Sequence, residues 1–272
     1  LITFTRGLKM KTMFAVLCLL VMHVNIAQSQ GLSYNNWARE EEIFSEVLEL
    51  TMEEIEKKTP FRFGEGSTLK ADFVRSFGDG SNPNEEPIAQ YWYENATIKF
   101  RSLPMSELLS RHDGSLYRLD AATLMENKDL GKIMWHEAAH HLMNVAAQAE
   151  GLGVWYTPES MEKLDNEHWL GVHVVSEGTA EYIKSLKYPF KNELDERCFP
   201  SGVVTSAEID FKTVSFAGGY WLVKPILKQH GQAGMVWVMR HPFVAKYDGM
   251  RQAAVNYQKT ALSELLLMEQ KK

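Results

Sequence analysis

Two histidines separated by three residues are the feature of this 272-residue chain with the clearest chemistry. His136 and His140 flank Glu137 in a stretch with helical periodicity that runs on from Leu130. Four residues turn a helix by about 400°, so both imidazoles lie on one face and can share one metal ion. Glu137 is offset by about 100°, which suits a general base that reaches a water on the same ion. The spacing therefore predicts a site for metal-dependent hydrolysis.

The neighbours of this motif decide between a metal site and the alternative, a solvated polar turn on a surface helix. They are apolar on both sides: Ile133, Met134 and Trp135 precede the motif, and Leu142, Met143 and Val145 follow it. Three titratable groups on such a buried helix would be costly unless a metal satisfied them. We expect Asn127 or Asp129 to cap the start of the helix and Gly151 to end it.

A zinc hydrolase site usually has three protein ligands and one open position, so a third ligand is needed. One known arrangement places a third histidine six residues after the second, with a glycine between them. That arrangement is excluded, because Met143 and Ala146 occupy those positions. The other arrangement takes a glutamate from a later helix.

Glu177 and Glu181 lie one helical turn apart in an apolar stretch whose helix we predict to begin near Val174. Gly178 and Ala180 are small, which indicates that this helix can lie close against the first. The alternative is a pair of exposed helix acids near the lysines that follow, Lys184 and Lys187.

The His-Glu-x-x-His motif at His136 and the Glu-Gly-x-Ala-x-Tyr run from Glu177 together resemble the gluzincin branch of zinc metallopeptidases, with its thermolysin-like and aminopeptidase-like families. The resemblance implies a zincin-like fold with one zinc ion held by His136, His140 and Glu177. It assigns Glu137 as general base. It also implies that Glu181 hydrogen-bonds the first histidine from behind, which would fix the tautomer of that ring.

A third stretch, residues 214–231, resembles the Tyr-x-x-Gly helix of aminopeptidase-like gluzincins, whose tyrosine donates a hydrogen bond to the developing oxyanion. Alignment on Gly219 places Phe216 at the tyrosine position, and phenylalanine has no donor. Substitute donors are Tyr220, His173 and His230. The alternative is that Tyr220 and its neighbour Trp221 are core aromatics. We expect Pro225 to interrupt and kink this helix.

The N-terminal segment is typical of a secretory signal peptide. Lys11 is the basic end, residues 13–24 form a short apolar run, and Ala27-Gln28-Ser29 is a small-x-small cleavage site. We therefore interpret residues 1–29 as a signal peptide together with residues upstream of Met10, and expect a secreted or periplasmic protein. The alternative is an uncleaved anchoring segment, although the run is too short to span a bilayer reliably.

Removal of residues 1–29 takes away three basic residues and no acids, which leaves 26 basic and 35 acidic residues and a net charge of −9. No basic patch is present, which argues against nucleic acid and anionic membranes as partners. A peptide or protein substrate remains, with no stable membrane insertion. Cys198 would be the only cysteine, so no intrachain disulfide could form.

The order of predicted elements indicates an α+β fold, with a small strand-rich N-terminal part and a mostly helical C-terminal part. We divide the chain after the leader into a helix-and-strand region, residues 30–114, and a zinc-binding catalytic region, residues 115–272. The predicted elements are a helix over 36–58, strands over 69–74, 88–93, 97–100 and 115–119, a turn at 78–84, and helices from Leu130 onward that end with one over 250–268.

Two functions remain open from the sequence. The first is a secreted zinc metallopeptidase in which Glu137 takes a proton from the attacking water and returns it to the leaving amine. The second is a zinc-containing, peptidase-like domain that has lost catalysis and serves as a binding module, which the phenylalanine at position 216 would favour.

Overall fold

The structure, a computed structural model, describes residues 37–74, 77, 87–101, 120–153 and 161–271. Three of the sequence predictions concern residues that lie outside these ranges. They are the signal peptide over 1–29, the turn at 78–84 and the strand over 115–119.

The N-terminal part consists of one long helix and a three-stranded sheet. These elements are α1 (Trp37–Lys58), β1 (Lys70–Val74), β2 (Ala89–Trp92) and β3 (Thr97–Arg101). The strand order is β1-β3-β2, with β3 parallel to β1 and antiparallel to β2. Phe44 of α1 packs edge-on against Phe73 and Phe100, with ring centroids 5.0 and 5.2 Å away. The apolar face of α1 therefore covers one face of the sheet.

The C-terminal part is helical, so the predicted α+β class is confirmed. Its elements are α2 (Ala121–Glu126), α3 (Lys128–Ala149), α4 (Asn166–Ser185), a 3₁₀ turn (Ser206–Glu208), a π-helix (Thr213–Gly218), α5 (Gly219–Arg240) and α6 (Met250–Glu269). Residues 41–272 form one compact unit. Among the residues with a described structure, no helix has the length and apolar character needed to cross a membrane.

Helix caps set the ends of the two helices that carry the predicted site. Asn127 caps α3 as expected, since its side-chain oxygen accepts hydrogen bonds of 3.0 Å from the backbone N–H groups of Asp129 and Leu130. The predicted start of the next helix near Val174 is wrong. This helix, α4, begins at Asn166, because Asp165 accepts a hydrogen bond of 2.9 Å from the backbone N–H of His168 and caps it there.

The predicted interruption of α5 at Pro225 is also wrong. The residue with non-helical backbone angles is Gly231, at φ 52° and ψ −126°, six positions further along the chain. Proline lacks an N–H and leaves the carbonyl four residues earlier, that of Trp221, without its helical donor. Gln258 of α6 supplies one, donating to the carbonyl oxygen of Trp221 over 2.8 Å, so the helix continues through the proline.

Close approach of backbones fixes how α4 meets the start of α5. A Cβ atom added to Gly178 would lie 2.2 Å from the backbone carbonyl carbon of Gly219, and one added to Gly219 would lie 2.2 Å from the carbonyl oxygen of Val174. Helix α4 does pack on α3, as predicted. Gly178, however, faces Gly219 of α5, so this glycine serves a different contact from the one expected.

Candidate metal centre

Three side chains from α3 and α4 converge on one point. The Nε2 atom of His136 lies 3.1 Å from Glu177 Oε2 and 3.2 Å from His140 Nε2, and the remaining pair, His140 Nε2 and Glu177 Oε2, is 3.7 Å apart. One ligand atom of each residue thus lies within reach of a single ion. All three side chains are largely buried, and that of Glu177 is only 18% exposed. The alternative of an exposed acid therefore does not hold for Glu177.

The spacing and type of these donors fit a zinc ion. Bonds of about 2.0–2.2 Å at a tetrahedral zinc separate the ligand atoms by roughly 3.4 Å, close to the three separations in this site. Two imidazole nitrogens and one carboxylate oxygen form a donor set that zinc hydrolases use.

The charges around His136 also favour a cation at this point. Burial by itself would lower the pKa of His136, but the carboxylates of Glu177 and Glu181 outweigh it and raise that pKa to about 10. Burial likewise works against ionisation of Glu177, yet the two imidazoles hold its pKa well below the ordinary value. The pocket between the ligands therefore stabilises positive charge.

Glu181 contacts the outer ring nitrogen of His136, the one that faces away from the convergence point. Its Nδ1 atom lies 3.0 Å from Glu181 Oε1, close enough for an ion pair although outside the alignment of a good hydrogen bond. The Glu181 side chain is 6% exposed and also pairs with Lys184. This contact favours a proton on Nδ1 and leaves Nε2 available to a metal.

His140 is held in the same way by two hydroxyl groups. Its Nδ1 atom lies 3.2 Å from the hydroxyl of Tyr93 and 3.2 Å from Ser176 Oγ, and these two hydroxyls are 3.3 Å apart. Burial raises the pKa of Tyr93 well above its usual value, so the phenol keeps its proton. Sequence analysis missed both residues. The position of Ser176 directly before Glu177 is the only local signal, and Tyr93 follows β2 far away in the chain.

Glu137 is buried beside the three ligands without being one of them. It is 8% exposed, and burial raises its pKa although the charges of His136 and His140 work in the opposite direction. Its carboxylate interacts electrostatically with all three residues and accepts a hydrogen bond from the backbone N–H of Tyr91, as a group that exchanges protons with a water on the ion could do.

His141, which directly follows the motif, belongs to a separate structural network. Its Nε2 lies 2.8 Å from Ser67 Oγ, its Nδ1 lies 2.9 Å from the hydroxyl of Tyr91, and its ring stacks on Phe63. Asn144 donates to the same tyrosine oxygen over 3.0 Å. Burial lowers the pKa of His141 to about 4, so its ring is neutral near pH 7. This network ties α3 to the strand that carries Tyr91.

The π-helix brings Phe216 to the site. Its ring stacks on that of His136, with centroids 5.7 Å apart and an interplanar angle of 10°. The position at which the gluzincin resemblance expects a tyrosine thus lies beside a ligand histidine, but its side chain offers no hydrogen bond.

The three substitute donors lie in different surroundings. Tyr220 stacks on Phe190 at 4.0 Å and is 7% exposed, as expected of a core aromatic, and His230 bonds through Nδ1 to Glu269 over 2.7 Å. Burial lowers the pKa of His173 to about 4, and this ring interacts electrostatically with Glu177 and His140.

Comparison of the chain with models of known protein families, with curated proteins and with solved structures finds no match. The geometry of the site therefore carries the functional interpretation by itself.

Proposed function

We propose that this protein is a zinc-dependent metallopeptidase, with His136, His140 and Glu177 as ligands and Glu137 as general base. The observation that carries the proposal is the convergence of three donor atoms at 3.1–3.7 Å, with a buried carboxylate next to them. Bound zinc supplies Lewis acidity, which lowers the pKa of a water toward neutrality. Because residues 1–29 are predicted to be a signal peptide, we also propose that the enzyme acts outside the cytoplasm; recovery of exported chain that begins at Gln30 would test this.

The protein's own groups would move the protons of the reaction. The Glu137 carboxylate accepts a proton as the water oxygen attacks the carbonyl carbon of the peptide bond. It then passes this proton to the amide nitrogen, so that the carbon–nitrogen bond breaks and a neutral amine leaves. Glu181 and Tyr93 keep the two ligand imidazoles oriented with Nε2 toward the centre.

A second function, a zinc-containing domain that binds peptides without cleaving them, is favoured by one observation. Phe216 stacks on His136 at the place where a hydrogen-bond donor to the oxyanion is expected. His173 and Tyr220 are the residues that could supply such a donor instead, and the proposed peptidase depends on one of them or on a backbone group.

Digestion of an unbiased peptide mixture tests the peptidase directly. Zinc-loaded wild type should cleave it, and a chelator should stop the cleavage. Glu137→Gln should keep its zinc but lose about 10²–10⁴-fold in turnover, because an amide cannot accept the water's proton. Tyr220→Phe and His173→Gln, assayed beside it, identify the oxyanion donor.

Three results separate the alternatives. Cleavage that vanishes in Glu137→Gln supports the mechanism. Wild-type activity in Glu137→Gln means that another group is the base, although the protein remains a peptidase. If fully zinc-loaded wild type cleaves nothing, the peptidase proposal is rejected in favour of the zinc-containing binding domain.

A further inference from the structure

Residues at four-residue spacing form a stripe along α4 that passes through the metal centre. Trp169, His173, Glu177 and Glu181 follow one another at this interval, and each step drifts by only about 40° around the helix. The stripe becomes more buried toward the C-terminal end of the helix. Trp169 is 38% exposed, whereas the side chains of Glu177 and Glu181 are 18% and 6% exposed. Trp169 is therefore the exposed end of the stripe, and Glu181 is its buried end.

A third aromatic ring, that of Phe211, packs against the rings of Trp169 and His173. Phe211, just before the π-helix, is 38% exposed. Its centroid lies 5.3 Å from that of Trp169 and 5.1 Å from that of His173, and the latter two rings are 4.2 Å apart. The same segment carries Phe216 onto His136, so it runs from the ring cluster to a metal ligand.

We infer that Trp169, His173 and Phe211, the aromatic shelf, receive the planar side chain of a substrate residue next to the bond that is cleaved. The inference rests on the proposed peptidase function and names its substrate class: peptides with phenylalanine, tyrosine or tryptophan at that position. The shelf is joined to the metal centre through His173, which lies one helical turn before Glu177 in α4 and interacts with Glu177 and His140.

The arrangement of the rings favours an aromatic occupant over an aliphatic one of similar size. Trp169 and Phe211 are tilted by 35°, while His173 stands at 60° to Trp169 and 79° to Phe211. The cluster therefore contains both stacked-like and edge-on ring contacts, the two arrangements that aromatic pairs prefer. A branched aliphatic side chain gains only burial of apolar area.

Matched peptides that differ only by phenylalanine or leucine beside the cleaved bond provide the test. For zinc-loaded wild type, kcat/KM should favour phenylalanine by roughly 2- to 10-fold. Trp169→Leu, which keeps apolar area but removes the ring, should bring this ratio to about 1, whereas Trp169→Phe should retain it. Leu194→Ala is the control, since Leu194 is also exposed, at 47%.

A binding measurement gives the same answer without catalysis. Peptide hydroxamates bind zinc through their own oxygens, so calorimetry can compare one with a benzyl side chain and one with an isobutyl side chain. Zinc-loaded Glu137→Gln should prefer the benzyl compound by the same factor, and adding Trp169→Leu should remove the preference. Zinc content and thermal melting of each variant should match those of its parent, because Trp169 is exposed.

The two measurements distinguish failure of the shelf from failure of the peptidase. If peptides are cleaved but phenylalanine is not preferred, or if Trp169→Leu keeps the preference, the shelf is overturned and the peptidase stands. If nothing is cleaved but the hydroxamate preference depends on Trp169, the peptidase fails and the shelf stands only as a site that binds aromatic side chains. If Leu194→Ala changes the ratio of kcat/KM for phenylalanine over leucine as much as Trp169→Leu does, the shelf is also overturned.

Discussion

The two ligand histidines are oriented by different chemistry on their outer nitrogens. A carboxylate, Glu181, meets His136, while two neutral hydroxyls, from Tyr93 and Ser176, meet His140. A carboxylate makes its imidazole more basic than a hydroxyl does, so the two ligands differ in donor strength. Both contacts nevertheless hold the outer Nδ1 atom of the ring, so that Nε2 faces the convergence point.

Local spacing was enough to predict the ligand face of α3, because helix geometry fixes where His136 and His140 point. The position of Glu177 could not be predicted from spacing alone, because an exposed acid was an alternative. Only the burial of its side chain beside the histidines removes that alternative. Tyr93 could not be predicted. It approaches His140 only because the sheet and α3 pack together. A separation of 47 residues in the sequence gives no sign of this contact.

His141 should make the fold sensitive to acid. Its pKa is about 4 in the folded protein, against about 6.5 in an unfolded chain, so between these values the unfolded state binds more protons. The stability that depends on neutral His141 is therefore complete above about pH 6.5 and is lost as the pH falls toward 4. Between about pH 7 and about pH 4, wild type should lose about 2–3 kcal/mol more unfolding free energy than His141→Gln.

Urea unfolding of the zinc-free proteins at both pH values measures this difference, because other titrating groups are common to both chains. Equal losses in wild type and variant would show that His141 does not couple folding to protons. If His141→Gln does not fold, NMR titration of the ring in wild type gives the same test, with the ring expected to stay neutral down to about pH 4.

At the level of elements, the site depends on how three helical segments cross. Helix α3 carries His136, Glu137 and His140, α4 carries Glu177, and the π-helix that leads into α5 packs on His136 through Phe216. The existence of these helices could be predicted from periodicity. The early start of α4 at Asn166 and the continuity of α5 through Pro225 could not, since one depends on a cap and the other on a donor from α6.

Gly178→Ala should destabilise the protein strongly. A Cβ at this position would lie 2.2 Å from the backbone of Gly219, and backbone cannot rotate away as a side chain can. We expect a loss of about 3 kcal/mol or more in unfolding free energy. Zinc should also bind more weakly, because the displaced segment of α4 carries Glu177.

Gly202→Ala is the matched control, since an added Cβ there meets nothing within 4 Å. Its stability should stay within about 0.5 kcal/mol of wild type. Denaturant unfolding and zinc titration of the two variants give both readouts. Equal stability of Gly178→Ala and Gly202→Ala would mean that α4 and α5 can separate without cost.

For the whole molecule, the division into a strand-containing N-terminal part and a helical C-terminal part followed from the change in hydrophobic periodicity along the chain. The parallel pairing of β1 with β3, and the placement of β2 at the other side of β3, did not follow from it. Strand order depends on pairing between residues far apart in sequence, such as Phe73 of β1 with Phe100 of β3.

Zinc should also stabilise the molecule as a whole, because its ligands come from two helices and assemble only when the chain is folded. Metal that binds the folded state alone raises the unfolding free energy by mass action. A bound metal would therefore link the chemistry of the site to the stability of the protein.

Metal content of the purified protein after dialysis against dilute zinc is the most direct measurement of the central claim. Wild type should retain one zinc per chain, with nitrogen and oxygen ligands at about 2.0–2.2 Å by X-ray absorption. Glu177→Ala should lose most of its zinc under the same conditions, while Glu137→Gln should retain it. Wild type without zinc, or Glu177→Ala with full zinc occupancy, would contradict the assignment of His136, His140 and Glu177 as the metal ligands.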